Sequence, residues 1–413
     1  IWERDIVSRE GADTALVVNI MAASDAPTGT DRAPLDIAFA LDRSGSMSGE
    51  PIELVKEAVA AATHHLTEAD RVSLVIFDNE VDVLHDLTPA TGQGKSRLQR
   101  VIQEVYARGG TNLSGGWLTA CQQLAMHPPM TSGRGHLQRS MLLTDGLANN
   151  GITNPDQLAT HASELRRRGI ATTTIGVGQH FDEMLLSSMV EAGGGAFQYI
   201  ADARELRAFF EREIGELLDI VAIRPRLTIT FPEGMHARLV NTFPVERHGR
   251  TFPVDLRDLA SGDNLSLVFD IRVKPESHTN MLAPSLALDW THPATGQPMG
   301  LHRELDPLTL ADEITAARAP RNDEAARTVA LERAARDHRE AIRLDRAGRF
   351  EESRRQFRSA SRAMQAAPMT QEIREEIRIS EELANASFAP LDEHTRKQRV
   401  FEAQRRSRGR RQS

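Results

Sequence analysis

The sequence predicts an α/β fold, in which a doubly wound and mostly parallel sheet is followed by an antiparallel β-sandwich and a C-terminal helical region. Between residues 34 and 222, short apolar β-rich runs alternate with stretches whose apolar residues recur at i, i+3 and i+4. This alternation predicts a parallel sheet that is covered by helices on both faces. Between residues 223 and 308, alternation of apolar and polar residues replaces the helical period, and the turns are rich in Gly, Pro, Asn and Asp. That pattern is typical of an antiparallel sandwich.

The elements of the first region can be assigned in chain order. The predicted strands are "LDIAFAL", "RVSLVIF", "EVDVLH", "RSMLLT", "ATTTIGV" and "AFQYI". The predicted helices are "PIELVKEAVAAATHHL", "KSRLQRVIQEVYA", "GGWLTACQQLAM", "PDQLATHASELRRRG", "DEMLLSSMVEAG" and "DARELRAFFEREIGELLDIV". In sheets of this kind, ligands bind beyond the carboxyl ends of the strands.

The remaining segments complete the domain prediction. Residues 1–33 contain the strand-like "TALVVNIMAAS", which lies outside the α/β repeat and is expected to join the β-sandwich of residues 223–308. Residues 309–388 are charged and helical, and "HREAIRLDRAGRFEESRRQFRSASRAM" resembles a single tetratricopeptide-type hairpin that packs against the body. Residues 389–413 are basic and are expected to be a disordered tail; a site for an anionic partner is the alternative.

Composition excludes several classes of protein. No run of 18 apolar residues is present, so no membrane span is predicted. A single cysteine, Cys121, excludes an internal disulfide and suits a reducing compartment, and we expect a cytoplasmic protein. The chain begins at Ile1, which leaves open whether a leader precedes it. The net charge of −8 argues against a nucleic-acid coat; weak binding through the basic tail is the exception.

Three short motifs place oxygen-bearing side chains at predicted strand ends. "LDRSGSM" carries Asp42, Ser44 and Ser46, "RGGTNLSGG" carries Thr111, and "SMLLTDG" carries Asp145. Ligand sets of hard oxygens, without nitrogen or sulfur, favour Mg²⁺, Mn²⁺ or Ca²⁺ over zinc. The first motif alone could equally serve to cap the helix that follows it.

Together, and in this order, the three motifs resemble the metal-ion-dependent adhesion site of the von Willebrand factor type A domain, a Rossmann-like fold. The resemblance covers residues 34–222 and extends to bacterial cytosolic proteins with this domain. It implies that Ser44, Ser46 and Thr111 offer hydroxyl ligands to Mg²⁺. It also implies that Asp42 and Asp145 act through water or through hydrogen bonds to those hydroxyls. A partner protein's Asp or Glu carboxylate would complete the coordination.

Catalytic motifs are weak in this sequence. "PATGQGKSRLQ" resembles a phosphate loop, with Lys95 and Ser96 in the expected order, but its first glycine position is Pro89. No H-E-x-x-H or G-x-S-x-G motif occurs. We therefore expect a non-enzymatic, Mg²⁺-dependent protein-interaction module. The alternative that the resemblance offers is an adaptor subunit for a AAA+ ATPase of the MoxR or chelatase type.

Overall fold

A computed structural model describes residues 1–24, 32–127, 135–274, 280–385 and 390–407. Its strands are β1 (Ile6–Ser8), β2 (Ala12–Met21), β3 (Leu35–Asp42), β4 (Arg71–Phe77), β5 (Val81–Pro89), β6 (Leu137–Thr144), β7 (Ile170–Val177), β8 (Gly194–Ile200), β9 (Ile220–Thr230), β10 (Met235–Leu239), β11 (Thr251–Asp255), β12 (Leu259–Ala260), β13 (Asn264–Val273), β14 (Met281–Leu282), β15 (Ser285–Thr291), β16 (Pro298–Glu304) and β17 (Leu308–Ala311). Its α-helices are α1 (Glu50–His64), α2 (Gly92–Gln103), α3 (Leu113–Met126), α4 (Pro155–Arg167), α5 (Glu183–Gly193), α6 (Leu206–Leu218), α7 (Glu313–Arg318), α8 (Asp323–Arg346), α9 (Phe350–Gln365), α10 (Gln371–Asn385) and α11 (Glu393–Ser407).

The predicted α/β fold is confirmed. The central sheet has the order β5-β4-β3-β6-β7-β8, in which β5 runs antiparallel to β4 and the other neighbours are parallel. Every residue of β3 is buried, as expected for a central strand with helices over both faces. One core joins the sheet to α1, α2 and α6, and a second core joins its opposite face to α3, α4 and α5.

The antiparallel region is built around two larger sheets that share an apolar core. One sheet has the order β10-β13-β2, and the other has the order β11-β9-β15-β16. The N-terminal β2 pairs with β13 along its whole length, from Ala12 opposite Val273 to Met21 opposite Asn264. Phe231, Phe252 and Phe269 contact one another between the sheets, with ring centroids 5.5–5.9 Å apart. The two ends of this region in the sequence therefore form one β-sandwich.

The start predicted for the helical region, residue 309, is wrong. Residues Leu308–Ala311 form β17, which pairs with β1 in parallel and with β14 in antiparallel orientation. Leu308 and Leu310 are buried in the sandwich core, which explains why this short segment is a strand. Beyond α7, helix α8 lies over the outer face of the β10-β13-β2 sheet through Ala325 and Val329.

The disorder predicted for the basic tail from residue 389 onward is also wrong for its described part. Residues Glu393–Ser407 form α11, which packs on β8, α5 and α8. Phe401 contacts Phe197 with ring centroids 6.4 Å apart, and the Tyr199 hydroxyl lies 2.8 Å from His394 Nδ1. The segments 386–389 and 408–413 of the predicted helical region and tail lie outside the described residues.

Among the helices that the structure describes, none combines the length and the apolar character required to cross a bilayer.

Candidate metal centre

Two of the predicted site residues lie at the ends of neighbouring strands. Asp42 is the last residue of β3, and Asp145 directly follows β6, which pairs with β3 in parallel. The chain continues from β3 towards β4 on one side, and β6 to β8 lie on the other side, so the topology reverses between β3 and β6. Clefts at such a reversal are the usual ligand sites of open α/β sheets.

The turn after β3 brings both serines towards Asp145. The backbone amide of Ser44 donates to Asp42 Oδ1 at 2.7 Å, and a single 3₁₀ turn follows at Gly45–Met47. The Ser44 and Ser46 hydroxyl oxygens lie 3.1 Å apart. Ser46 Oγ donates to Asp145 Oδ1 at 2.7 Å. This turn therefore connects four of the predicted site residues through short hydrogen bonds.

Thr111 reaches the same place from the loop before α3. The Arg108 amide donates to the Arg43 carbonyl at 2.7 Å, and the Gly45 amide donates to the Gly109 carbonyl at 3.1 Å, so this loop is attached to the turn after β3. The amide of Thr111 donates to Asn149 Oδ1 at 2.9 Å. The loop that carries Thr111 is therefore attached to the turn after β3 and to the segment after β6.

Gly146 marks the point where the side chains converge. A Cβ atom at this glycine would lie 3.4 Å from Thr111 Oγ1, 3.6 Å from Ser46 Oγ and 4.0 Å from Asp42 Oδ2. Glycine leaves this volume free of side-chain atoms. The structure therefore brings Asp42, Ser44, Ser46, Thr111 and Asp145 together around one space.

The electrostatics of this space fit a cation. Burial raises the pKa of the Asp42 carboxyl to about 6, although the Thr144 hydroxyl and the Ser44 amide favour its ionised form. Burial also raises the pKa of Asp145, although the hydrogen bond from Ser46 acts to lower it. Within the described part of the chain, neither carboxylate has a Lys, Arg or His at ion-pair distance. Two carboxylates and three hydroxyls form an all-oxygen donor set, which suits Mg²⁺, Mn²⁺ or Ca²⁺.

This chemistry differs from that of a carboxylate- or histidine-rich site. No group of three or more His, Cys, Asp and Glu side chains is close enough to hold a metal ion among the residues described. The donors gathered around Gly146 fit the predicted set because hydroxyls supply most of them.

Several supporting residues were not predicted from the sequence. Thr144 donates its hydroxyl hydrogen bond to Asp42 Oδ2 at 2.5 Å and accepts from the Gly146 amide at 3.1 Å. Asp78, at the end of β4, accepts from Arg43 Nε at 2.8 Å and from Arg108 Nε at 2.7 Å. Thr144 could have been inferred from its position beside Asp145 at a strand end. No local signal pointed to Asp78.

The phosphate-loop segment has a structural role in this fold. The Thr91 side chain caps α2 by accepting from the Gly94 amide at 3.1 Å. Lys95 Nζ donates to the carbonyls of Leu66 at 2.6 Å and His64 at 3.4 Å, where α1 ends. The lysine thereby satisfies carbonyl groups at a helix C-terminus.

Comparison with known proteins assigns the α/β part of the chain. Residues 36–212 match the family model for the von Willebrand factor type A domain. The uncharacterized protein sll0103 of Synechocystis is 25% identical over 74% of this chain and 72% of its own length. YfbK of Escherichia coli is 26% identical over 57% of this chain, and human inter-alpha-trypsin inhibitor heavy chain H4 is 27% identical over 48%. The matches span only 41% of YfbK and 22% of the heavy chain.

Solved structures share the fold over almost the whole chain. A von Willebrand factor type A protein from Catenulispora acidiphila has a TM-score of 0.72 at 14% identity, covering 100% of this chain and 96% of that one. The ArnB paralog VWA2 from Sulfolobus acidocaldarius has a TM-score of 0.62 at 14% identity, covering 98% and 96%. The arrangement of sheet, sandwich and helices thus recurs in proteins of distant sequence. Residues 36–212 of this chain therefore match the von Willebrand factor type A domain in sequence and share its fold.

Proposed function

We propose that this protein is a non-enzymatic interaction module that binds a partner protein through a Mg²⁺ ion held at the metal centre. The convergence of Asp42, Ser44, Ser46, Thr111 and Asp145 around the open space at Gly146 carries this proposal. Mn²⁺ or Ca²⁺ would suit the same oxygen donors. The match of residues 36–212 to the type A family model supports it independently.

The residues of the chain have distinct tasks in this proposal. Ser44, Ser46 and Thr111 offer neutral hydroxyl oxygens, so they do not cancel the charge of a bound cation. Asp145 accepts from the hydroxyl of Ser46 and orients that ligand. Asp42 is held by the Thr144 hydroxyl and accepts from the Ser44 amide, so it fixes the turn that carries Ser44. A Mg²⁺ ion in such a site supplies an electrophilic coordination position that an Asp or Glu carboxylate of a partner can occupy.

The surroundings of the metal centre are accessible to a partner. Ser46 is exposed, and Leu147, two residues after Asp145, is 57% exposed. Tyr106, which precedes the loop that carries Thr111, is 62% exposed. Exposed aromatic and aliphatic side chains beside a charged centre are common at protein interfaces. A partner would therefore bury apolar surface around the carboxylate contact.

The test begins with affinity capture from the native cell, in Mg²⁺ and in EDTA, followed by mass spectrometry. Partners retained only in Mg²⁺ are then purified and their affinities measured. We expect Thr111→Ala, Asp145→Ala and EDTA each to weaken binding at least tenfold, or about 1.4 kcal/mol. Recovery of a AAA+ ATPase among these partners would specify the adaptor function.

Two variants serve as controls for the binding assay. Ser48→Ala alters an exposed serine in the same turn whose side chain makes no hydrogen bond to the site, and Lys95→Ala removes the lysine of the phosphate-loop segment. Both should bind partners as the wild type does. Unchanged affinity in EDTA for every partner would contradict the proposal.

A further inference from the structure

A cleft of about 580 Å³ lies between the type A domain and the β-sandwich. The type A side is formed where β6, β7 and β8 begin, and the sandwich side includes the start of β9 and the ends of β11 and β15. The metal centre lies at the carboxyl ends of the strands, so the cleft is at the opposite edge of the central sheet. A ligand in this cleft would therefore bind independently of the metal centre.

The cleft has more arginine than acidic side chains in its lining. It contains Arg166, Arg167, Arg224, Arg226 and Arg257, together with Asp255, Asp258 and Asp289. The five guanidinium groups exceed the three carboxylates, which gives the lining a net positive charge. Such a concave surface of one sign attracts anions.

Two of the three carboxylates of the cleft are already paired with particular cations. Asp255 pairs with Arg226 at 2.6 Å, and Asp258 pairs with Arg139 at 3.1 Å. Asp258 also accepts from the backbone amide of Arg224 at 2.8 Å. Since these carboxylates have other partners, the guanidinium groups of Arg166 and Arg224 have no carboxylate within ion-pair distance in the described residues.

The position of Arg166 depends on a glycine of the type A domain. Gly194 has φ +77°, and a Cβ atom there would lie 2.8 Å from Arg166 Nε, so a larger residue would displace this guanidinium. Arg166 Nη2 donates to the Leu256 carbonyl at 2.7 Å, across the cleft. Burial lowers the pKa of Arg166, an effect that a bound anion would oppose.

Arg224 is held in an unusual backbone conformation. Its φ is +49°, a value that no other non-glycine residue shares within the described ranges. Left-handed backbone is unfavourable for an ordinary residue, and such strain is common at ligand sites. Arg224 Nη1 lies 3.9 Å from the position of a Cβ atom on Gly169, beside the end of α4 that carries Arg166. The strained Arg224 and the half-buried Arg166 therefore face the same cleft.

We propose that this cleft binds a phosphate ester, with Arg166 and Arg224 as its phosphate ligands. Two guanidinium groups match the charge and the several acceptor oxygens of a phosphate group better than those of a single carboxylate. The volume exceeds that of a phosphate ion, and Trp290, Met299 and Leu256 supply apolar wall for an organic body. The ligand class is therefore a small phosphorylated organic molecule.

Tryptophan fluorescence can test this assignment in the full chain. Trp2 and Trp117 are 5% and 0% exposed, whereas Trp290 lines the cleft and is partly exposed. The protein is titrated with AMP and with inorganic phosphate in EDTA at constant ionic strength, and Trp290→Phe identifies the signal from the cleft. EDTA removes any contribution from a cation at the metal centre.

We expect saturable binding of AMP, weakened at least tenfold by Arg166→Gln and by Arg224→Gln. Arg166→Lys should weaken it less than Arg166→Gln because it keeps the charge and loses the guanidinium fork. Arg168→Gln, an exposed arginine at the end of α4 outside the lining, is the matched control. Tighter binding of AMP than of phosphate would show that the organic part of the ligand contributes to binding. Equal affinity for the two would contradict the assignment of a phosphate ester.

The proposal as a whole fails if neither probe saturates the signal, or if the arginine variants bind like the wild type while retaining its melting temperature. Asp145→Ala must bind AMP as the wild type does. Loss of AMP binding in that variant would place the anion at the metal centre and contradict the cleft assignment.

Discussion

The docking of helix α11 on the type A domain should depend strongly on one buried carboxylate, beside its aromatic contacts. Glu183 is 0% exposed; its Oε1 lies 2.6 Å from Arg396 Nε, and its Oε2 lies 3.8 Å from Lys397 Nζ. Lys397 is 1% exposed in its side chain, donates to the Gln179 carbonyl at 2.7 Å and lies 4.6 Å from the centroid of the Phe181 ring. Burial lowers the pKa of Lys397, so its charge is poorly hydrated.

Glu183→Gln removes the counter-charge and leaves Arg396 and Lys397 in place. Arg346 of α8, 3.7 Å from Glu183 Oε1, keeps its shorter pair with Asp182 at 2.5 Å. Another acid, Glu393, lies 3.4 Å from Lys397 and 4.0 Å from Arg396. Because Glu393 is half-exposed, its ion pairs are too weak to replace those of Glu183. Removing one partner of a buried ion pair costs about 3–5 kcal/mol. We expect this cost to fall on the docking of α11. Because each 1.4 kcal/mol is a factor of ten, its amide hydrogen exchange should accelerate by at least about a hundredfold.

Hydrogen exchange with mass spectrometry, followed peptide by peptide, measures this effect directly. Glu382→Gln is the control, because it breaks an exposed pair with Arg378 that is worth about 1 kcal/mol or less. The control should leave exchange in α11 unchanged. Exchange in α11 within threefold of the wild type for Glu183→Gln would refute the reasoning. Acceleration spread evenly over the central sheet would refute it as well.

Three further predictions concern stability. Burial lowers the pKa of His338 to about 3 from 6.5, so between pH 7 and pH 5 only the unfolded state gains a proton at this residue. The free energy of unfolding, measured with urea, should therefore fall by up to about 2 kcal/mol from pH 7 to pH 5. His338→Gln should remove this dependence on pH. A Cβ atom on Gly116 would lie 2.1 Å from Phe77 Cδ1, so Gly116→Ala should lower the free energy of unfolding by about 1–3 kcal/mol, and Phe77→Leu should restore part of it. Deleting residues 1–30 removes the strand paired with β13, and exchange should accelerate in residues 223–308; acceleration confined to the central sheet would contradict this pairing.

The sequence predicts the type A fold because its signals are local. Each strand is a short apolar run, each helix has an apolar face, and the order of these elements restricts the topology to a doubly wound sheet. The candidate metal centre was also predictable, since Asp42 and Asp145 end strands that the topology makes neighbours. Thr111 required the family resemblance, because its loop reaches the site only through contacts with the turn after β3.

The elements that were predicted wrongly depend on distant contacts. Helix α11 is polar and basic, and the feature that orders it is the burial of Arg396 and Lys397 against Glu183, more than 200 residues earlier in the chain. Strand β17 is short, and its partner β1 lies at the other end of the sequence. Arg166 and Arg224 belong to α4 and β9, which carry no motif and meet only when the sandwich packs against the type A domain.

Isothermal titration of Mg²⁺ into protein stripped with EDTA tests the central claim most directly. We predict one divalent-ion site in the wild type and in Ser48→Ala. We predict its loss in Asp145→Ala and in the double variant Ser44→Ala with Ser46→Ala. If those variants titrate like the wild type, the hydroxyl and carboxylate oxygens at the ends of β3 and β6 do not hold the metal ion.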